Sequence, residues 1–235
     1  MSPSLRAKAA TVTPSSRVPD VALSPDILEA LEPEPAAAEI VIGDRLDAVR
    51  AFTHNLAQHG EELGLIGPLE LPRLWTRHIL NSALLGPLLQ PGLVGDIGSG
   101  AGLPGLVLAL QRPDVQFVLV EPMERRTDWL SSQARELGLD NVEVRRARAE
   151  ESGLECQLDQ VTARAVSAFK KLLALTAPLL RDGGELVLLK GANAQAEIDA
   201  AAREIKKYRV KDVRVEVLGE GVVAEPTRAL LGTVR

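Results

Sequence analysis

Cysteine is almost missing from this sequence: Cys156 is the only one among 235 residues. A single thiol excludes a disulfide framework and fits a reducing compartment. Histidine is nearly as scarce. His54 and His59 do not share a helix face, and His78 stands alone, so no metal-ligand set is expected. Long apolar runs are lacking as well. None approaches the roughly 18 residues that a membrane-spanning helix needs. Yet 46% of the residues are hydrophobic, enough for a substantial core. The opening "MSPSLRAKAATV" has no apolar centre of the secretory kind. The expectation is a soluble, cytoplasmic protein. Excess positive charge is absent too. The formal net charge is −5 and the pI about 5.4, so any contact with nucleic acid has to come from a local basic patch.

What is present falls into three parts. Residues 1–38 carry six of the 15 prolines and read as a flexible tail, with one short helix near "PDILEALE". Residues 39–90 read as a helical prelude. Ile42, Leu46, Val49, Phe52 and Leu56 recur at helical spacing over 39–59, and "LPRLWTRHILNSALL" follows a Gly/Pro break. From Leu93 onward strands alternate with helices. Strands are expected at 93–98, 116–121, 142–146, 159–164, 185–190, 210–218 and 227–235. This is an α/β pattern with a mainly parallel sheet. Only a loop separates the last two strands, which implies a hairpin and an antiparallel edge strand.

The stretch "GDIGSGAGLPG" (95–105) follows the first strand and opens a helix. Ligands of open α/β sheets bind beyond the carboxyl ends of the strands, and glycine there permits positive φ and close backbone approach. A GxGxxG pattern fits Gly100, Gly102 and Gly105, as in dinucleotide sites. The spacing Gly98, Gly100, Gly102 starts directly at the strand end and instead favours S-adenosylmethionine. Asp96 points the same way: a carboxylate repels a diphosphate and suits a cationic methionine head. Glu121, at the end of the second strand, is placed to accept hydrogen bonds from ribose hydroxyls in either class. A nicotinamide oxidoreductase is the alternative of a different reaction class.

Five segments in register resemble the glucose-inhibited division protein B family of bacterial 16S ribosomal RNA guanine-N7 methyltransferases. They are "RHILNS" (77–82), the glycine loop with its Pro–Gly ending, "RAE" (148–150), "VTARAV" (161–166) and "LLKG" (188–191). The resemblance covers roughly residues 40–235. It implies a class I, Rossmann-like methyltransferase fold with S-adenosylmethionine as donor and guanine 527 of 16S ribosomal RNA as target. The cofactor contacts it implies are Gly98, Leu103, Glu121, Pro122, Met123, Ala149, Glu150 and Arg164, beside Asp96, Gly100 and Gly102. Two positions depart from the family pattern. Asn81 stands where Asp is commoner, and Pro122 where a small polar residue is usual.

Guanine N7 has a free lone pair and no proton to lose, so no catalytic base is expected and His78 is not read as one. Arg77, His78, Arg125, Arg126, Lys190 and Arg228 are the expected RNA contacts, with positioning of the helical prelude the other reading of Arg77 and His78. Lys190, at the end of the fifth strand, leads them. The expected partner is 16S ribosomal RNA or the small subunit, with the enzyme a monomer. A small-molecule methyltransferase or an S-adenosylmethionine-dependent sensor would share the fold.

Overall fold

The computed structural model describes residues 22–235. The first 21 residues, most of the expected tail, lie outside the described residues. Residues 22–38, also read as tail, lie against the core instead. Helix α1 (Pro25–Ala30) begins with proline in its first turn, where no intrahelical N–H is lost. Leu23, Ile27 and Leu31 pack against the buried cluster of the prelude.

The helix expected over 39–59 is two helices, α2 (Ala37–Ile42) and α3 (Leu46–His59). Gly43, at φ +66°, breaks the run although the apolar spacing continues through it. Val49, Phe52 and Leu56 of α3 are fully buried. The second prelude stretch is less regular. A 3₁₀ turn (Pro68–Arg73) leads into a π-helix (Leu74–Leu80) and then a short α4 (Asn81–Ala83). A π-turn widens the helix, and such turns concentrate at functional sites.

The remainder runs β1 (Leu93–Ile97), α5 (Gly105–Gln111), β2 (Gln116–Val120), α6 (Glu124–Glu136), β3 (Val142–Arg145), β4 (Leu158–Thr162), α7 (Phe169–Thr176), β5 (Leu180–Lys190), α8 (Ala194–Ala200), α9 (Ala202–Lys207), β6 (Val210–Leu218) and β7 (Thr227–Val234). The sheet order is β3-β2-β1-β4-β5-β7-β6. All neighbours from β3 to β5 are parallel. β7 runs antiparallel between β5 and the outermost strand β6. β5 starts at Leu180 rather than at Glu185, taking in the "RDGG" break. The polar helix expected over 194–208 is interrupted at Ala201.

Both faces of the sheet are covered, which is why its inner strands are nearly continuous apolar runs. Side chains alternate across the pleat. Val94, Phe117, Leu119, Val187 and Leu189 join the prelude, α5 and α6 on one face. Ile97, Val118, Val120, Leu186 and Leu188 join α7 and its neighbours on the other. The chain leaves β1 toward β2 and β3 on one side and later fills β4 and β5 on the other. That reversal opens a crevice at the carboxyl ends of β1 and β4, where such sheets bind ligands.

Candidate active site

The glycine loop lies at that crevice, and its glycines are required for identifiable reasons. Gly98, Gly100 and Gly102 have φ of +74°, +54° and +93°, a region that disfavours residues with a Cβ. A Cβ on Gly98 would lie 2.9 Å from Val166 Cγ2. Gly105 serves packing: a Cβ there would meet Asp96 Oδ2 at 2.4 Å and Leu119 Cδ2 at 2.5 Å. Helix α5 thus sits directly on β1 and β2. Trp129 of α6 donates its ring N–H to Ala101 O at 3.0 Å and pins the loop from outside.

Asp96 is fully buried beneath this bend. Its Oδ2 accepts the Gly105 N–H at 3.1 Å, while Oδ1 is buried with no hydrogen-bond partner among the described residues. Burial pushes the carboxyl up to about 7, against the opposing effect of its hydrogen bonds and of Arg164. Glu121 is 2% exposed. One oxygen accepts Gly100 N–H at 3.0 Å and the other Met123 N–H at 3.0 Å, so it braces both the loop and the turn after β2. Arg126 Nη1 stands 3.8 Å from it.

Beyond β4, Arg164 is half-buried and pairs as an isolated bridge with Leu189 of β5. Its Nη1 lies 2.5 Å from His78 Nδ1, and His78 Nε2 lies 2.5 Å from Glu70 Oε2. Burial pulls the guanidinium down to about 10, so it stays charged at neutral pH. Next to it, a cleft of about 810 Å³ opens at the ends of β4 and β5 and the start of β7. Arg77, Asn81, Arg164, Lys190, Glu225 and Arg228 are among its walls. Its size suits a single small ligand or base. Asn81 Nδ2 donates to Arg77 O, and its Oδ1 is buried without a partner among the described residues.

A family model described as GidB, rRNA small subunit methyltransferase G, matches residues 45–228. The chain belongs to this family. The Leifsonia xyli subsp. xyli protein named ribosomal RNA small subunit methyltransferase G is 69% identical over 207 residues, covering 88% of this chain and 99% of that one. Its namesake from Clavibacter michiganensis subsp. michiganensis is 64% identical, covering 87% and 97%. Among solved structures, M. jannaschii TYW2 in complex with AdoMet aligns with a TM-score of 0.53 at 17% identity, covering 68% of this chain and 76% of that chain. P. horikoshii TYW2 in complex with MeSAdo gives 0.54 at 13%, covering 67% and 62%. At such identities the likeness is one of fold, the class I methyltransferase sheet. Membership in the GidB family closes the oxidoreductase alternative.

Within this GidB member the expected residues divide. Gly98, Gly100, Gly102, Asp96 and Glu121 converge on one bend. Ala149 is buried and Glu150 exposed in a 3₁₀ turn after β3, while Pro122 and Met123 are exposed after β2. Leu103 is 3% exposed and belongs to the core packed against the prelude.

The expected RNA contacts are corrected in three places. His78 is 8% exposed, with both ring nitrogens engaged by Glu70 and Arg164, so it has none to offer a phosphate. Lys190 has an 8% exposed side chain. Its Nζ lies 2.8 Å from Glu197 Oε2 and 3.0 Å from Ser167 O, because α8 carries Glu197 over the end of β5. Arg126 turns toward Glu121, and its Nε is buried. Arg77 and Arg228 line the cleft without an ion-pair partner among the described residues, and Arg125 is exposed beside Gly64.

Sequence reading missed Glu70, Trp129 and Val166. Val166 lay inside a quoted motif, but nothing in the sequence placed it over Gly98. Among the described residues no cluster of His, Cys, Asp and Glu is arranged for a metal, and no helix is long and apolar enough to cross a membrane.

A measurement separates the free cations from the tied one. Arg77→Ala or Arg228→Ala is expected to reduce the slope of log affinity for RNA against log salt by about 0.7–0.9, one released counterion each. Lys190→Ala is expected to leave that slope unchanged and to lower the melting temperature instead. Filter binding across a salt series, with thermal unfolding alongside, distinguishes the two. A reduced slope for Lys190→Ala would return it to the phosphate contacts.

Proposed function

We propose that this chain transfers a methyl group from S-adenosylmethionine to N7 of a guanine in 16S ribosomal RNA, in the cytoplasm. The observation that carries the proposal is the juxtaposition of a glycine bend braced by Glu121 with a cleft whose free cations are Arg77 and Arg228. The residues at the bend fit the methyl donor. Gly98 leaves room that a Cβ would fill, and Asp96 keeps an unpartnered buried oxygen beneath the loop. Glu121 retains acceptor capacity after two backbone bonds, since an ionised carboxylate has about four lone-pair sites. Gly98, Gly100, Asp96, Glu121 and Arg164 would hold the cofactor, with Ala149, Glu150, Pro122 and Met123 along the neighbouring strand ends.

When bound, S-adenosylmethionine supplies a methyl group on a sulfonium, an electrophile that needs no further activation. The chain's contribution is binding, orientation and electrostatics. Guanine N7 carries no proton, so no side chain has to remove one. Holding the base in the cleft beside the bend turns a bimolecular encounter into an oriented one, the largest contribution available to such a site. The methylated base gains positive charge, which a carboxylate such as Glu225 of the cleft wall would offset. N7 faces the major groove, which A-form RNA makes too deep and narrow for side chains. The target guanine therefore lies in an irregular or looped segment, as guanine 527 would have to.

The test is base-resolution mapping. Small subunits and naked 16S RNA from a strain lacking the enzyme are incubated with the chain and S-adenosylmethionine, then cleaved chemically at 7-methylguanine. One new cleavage site is expected. Methyl label confined to small molecules, or placed on an atom other than N7, overturns the proposal.

A further inference from the structure

We infer that Glu70 and His78 form a positioning relay that fixes the Arg164 side chain, so that the prelude packed against the sheet sets a residue of the cofactor site. The inference rests on the proposed role of Arg164 at that site.

The direction of the hydrogen bonds carries it. A guanidinium only donates, so His78 Nδ1, 2.5 Å from Arg164 Nη1, must accept. A neutral imidazole that accepts at Nδ1 has its proton on Nε2. That Nε2–H is 2.5 Å from Glu70 Oε2, which receives it. Glu70 is itself clamped by Arg73, with Nη2 to Oε1 at 2.6 Å and Nε to Oε2 at 3.1 Å. Arg73 thereby holds Glu70 well below the usual carboxylate range, at about 2. The chain from Arg73 through Glu70 and His78 to Arg164 permits one tautomer and one order of donors. Within the π-helix His78 faces inward to Arg164 while Arg77 is exposed at the cleft.

The relay requires His78 to be neutral. Burial first, and then the charge of Arg164, pull the imidazole below its ordinary value, with Arg77 adding to that and Glu70 opposing it. Arg73 stands behind Glu70, and Asp96 faces Arg164 from β1. Protonation would place an N–H at Nδ1 against the guanidinium N–H, exchanging a hydrogen bond for a contact between two cations. The contribution of His78 to cofactor affinity is therefore intact at neutral pH, where Asp96, pushed up to about 7, titrates separately. The His78 contribution is lost only under more acidic conditions than an ordinary imidazole, near 6.5, would set.

The test is titration calorimetry of the full chain with S-adenosylmethionine across a pH series, with thermal unfolding of the cofactor-free protein as the folding control. His78→Leu is expected to weaken binding about tenfold at neutral pH, the worth of one hydrogen bond to a charged group. His78→Gln, whose amide can accept from Arg164 and donate to Glu70 but cannot titrate, is expected to restore most of that affinity and to remove the His78 part of the acid loss, leaving the part set by Asp96. A merely structural histidine would move the melting temperature and leave the pH profile of binding alone. Arg164→Met separates the two readings. If it binds the cofactor like the wild type, Arg164 is not at the cofactor and the proposed placement fails. If it binds weakly while His78→Leu binds normally, the relay is overturned. Should His78→Leu not fold, a pH profile of binding for His78→Gln that superimposes on that of the wild type overturns it as well.

Discussion

Gly98→Val is expected to abolish S-adenosylmethionine binding while leaving the protein folded. Gly98 sits at φ +74°, where a β-branched residue is strongly disfavoured. Holding a non-glycine residue there costs about 1–3 kcal/mol. The Cβ would also lie 2.9 Å from Val166 Cγ2, so the segment after β4 would have to move aside. Gly98 N–H is bonded to Val120 O at 2.8 Å, which ties the bend to β2 and limits how far it can yield. The sheet beneath does not depend on this contact, so circular dichroism should be unchanged. Gly98→Ala, with the same φ cost but no branches, is expected to bind weakly rather than not at all. Calorimetry measures both. A folded Gly98→Val with wild-type affinity would show that the cofactor does not approach this bend.

Glu121→Ala is expected to reduce cofactor affinity about 100-fold, two charge-assisted hydrogen bonds at the lower end of their usual worth. The carboxylate reaches from the end of β2 to the loop after β1, one oxygen to Gly100 N–H and the other to Met123 N–H, each at 3.0 Å. Its removal frees the glycine loop and the turn at once, before any acceptor lost to the ribose is counted. Glu121→Gln should fall between wild type and alanine. Its amide oxygen can serve one of the two N–H groups, while its NH₂ faces the other donor to donor. Equilibrium binding of S-adenosylmethionine to the three proteins gives the ranking. A glutamine variant equal to wild type would mean that the two backbone bonds do not shape the site.

Much of this was legible in the chain. The starts of six of the seven strands lie within one residue of where apolar runs and turn residues set them; for β1, β2 and β4 this follows because buried parallel strands need continuous Val, Leu and Ile and their ends need Gly, Pro or charge. Strand β5 is the exception. The "RDGG" stretch reads as a break, yet β5 runs through it as a bulge between Leu180 and Glu185, which both pair with β4, and Gly183 takes a φ of +76°. The glycine bend was legible because positive φ and close packing restrict residue type so sharply. The π-helix was not, since an apolar pattern scored at 3.6 residues per turn cannot register one widened turn.

Cations show the same division from the other side. Arg77, Lys190 and Arg228 are alike as letters, each a basic residue near a strand end or a predicted helix. Sequence by itself determined the fold class and the glycine bend, which rest on local spacing and on residues with narrow backbone requirements, and it carried the resemblance to the family in five motifs. Only the tertiary structure decided which charges are spoken for. Lys190 meets Glu197, Arg126 turns to Glu121, and His78 is held between Glu70 and Arg164. Those partners come from elements far apart in the chain, and a charge is free or tied according to what stands within about 4 Å of it, a distance that no linear pattern encodes.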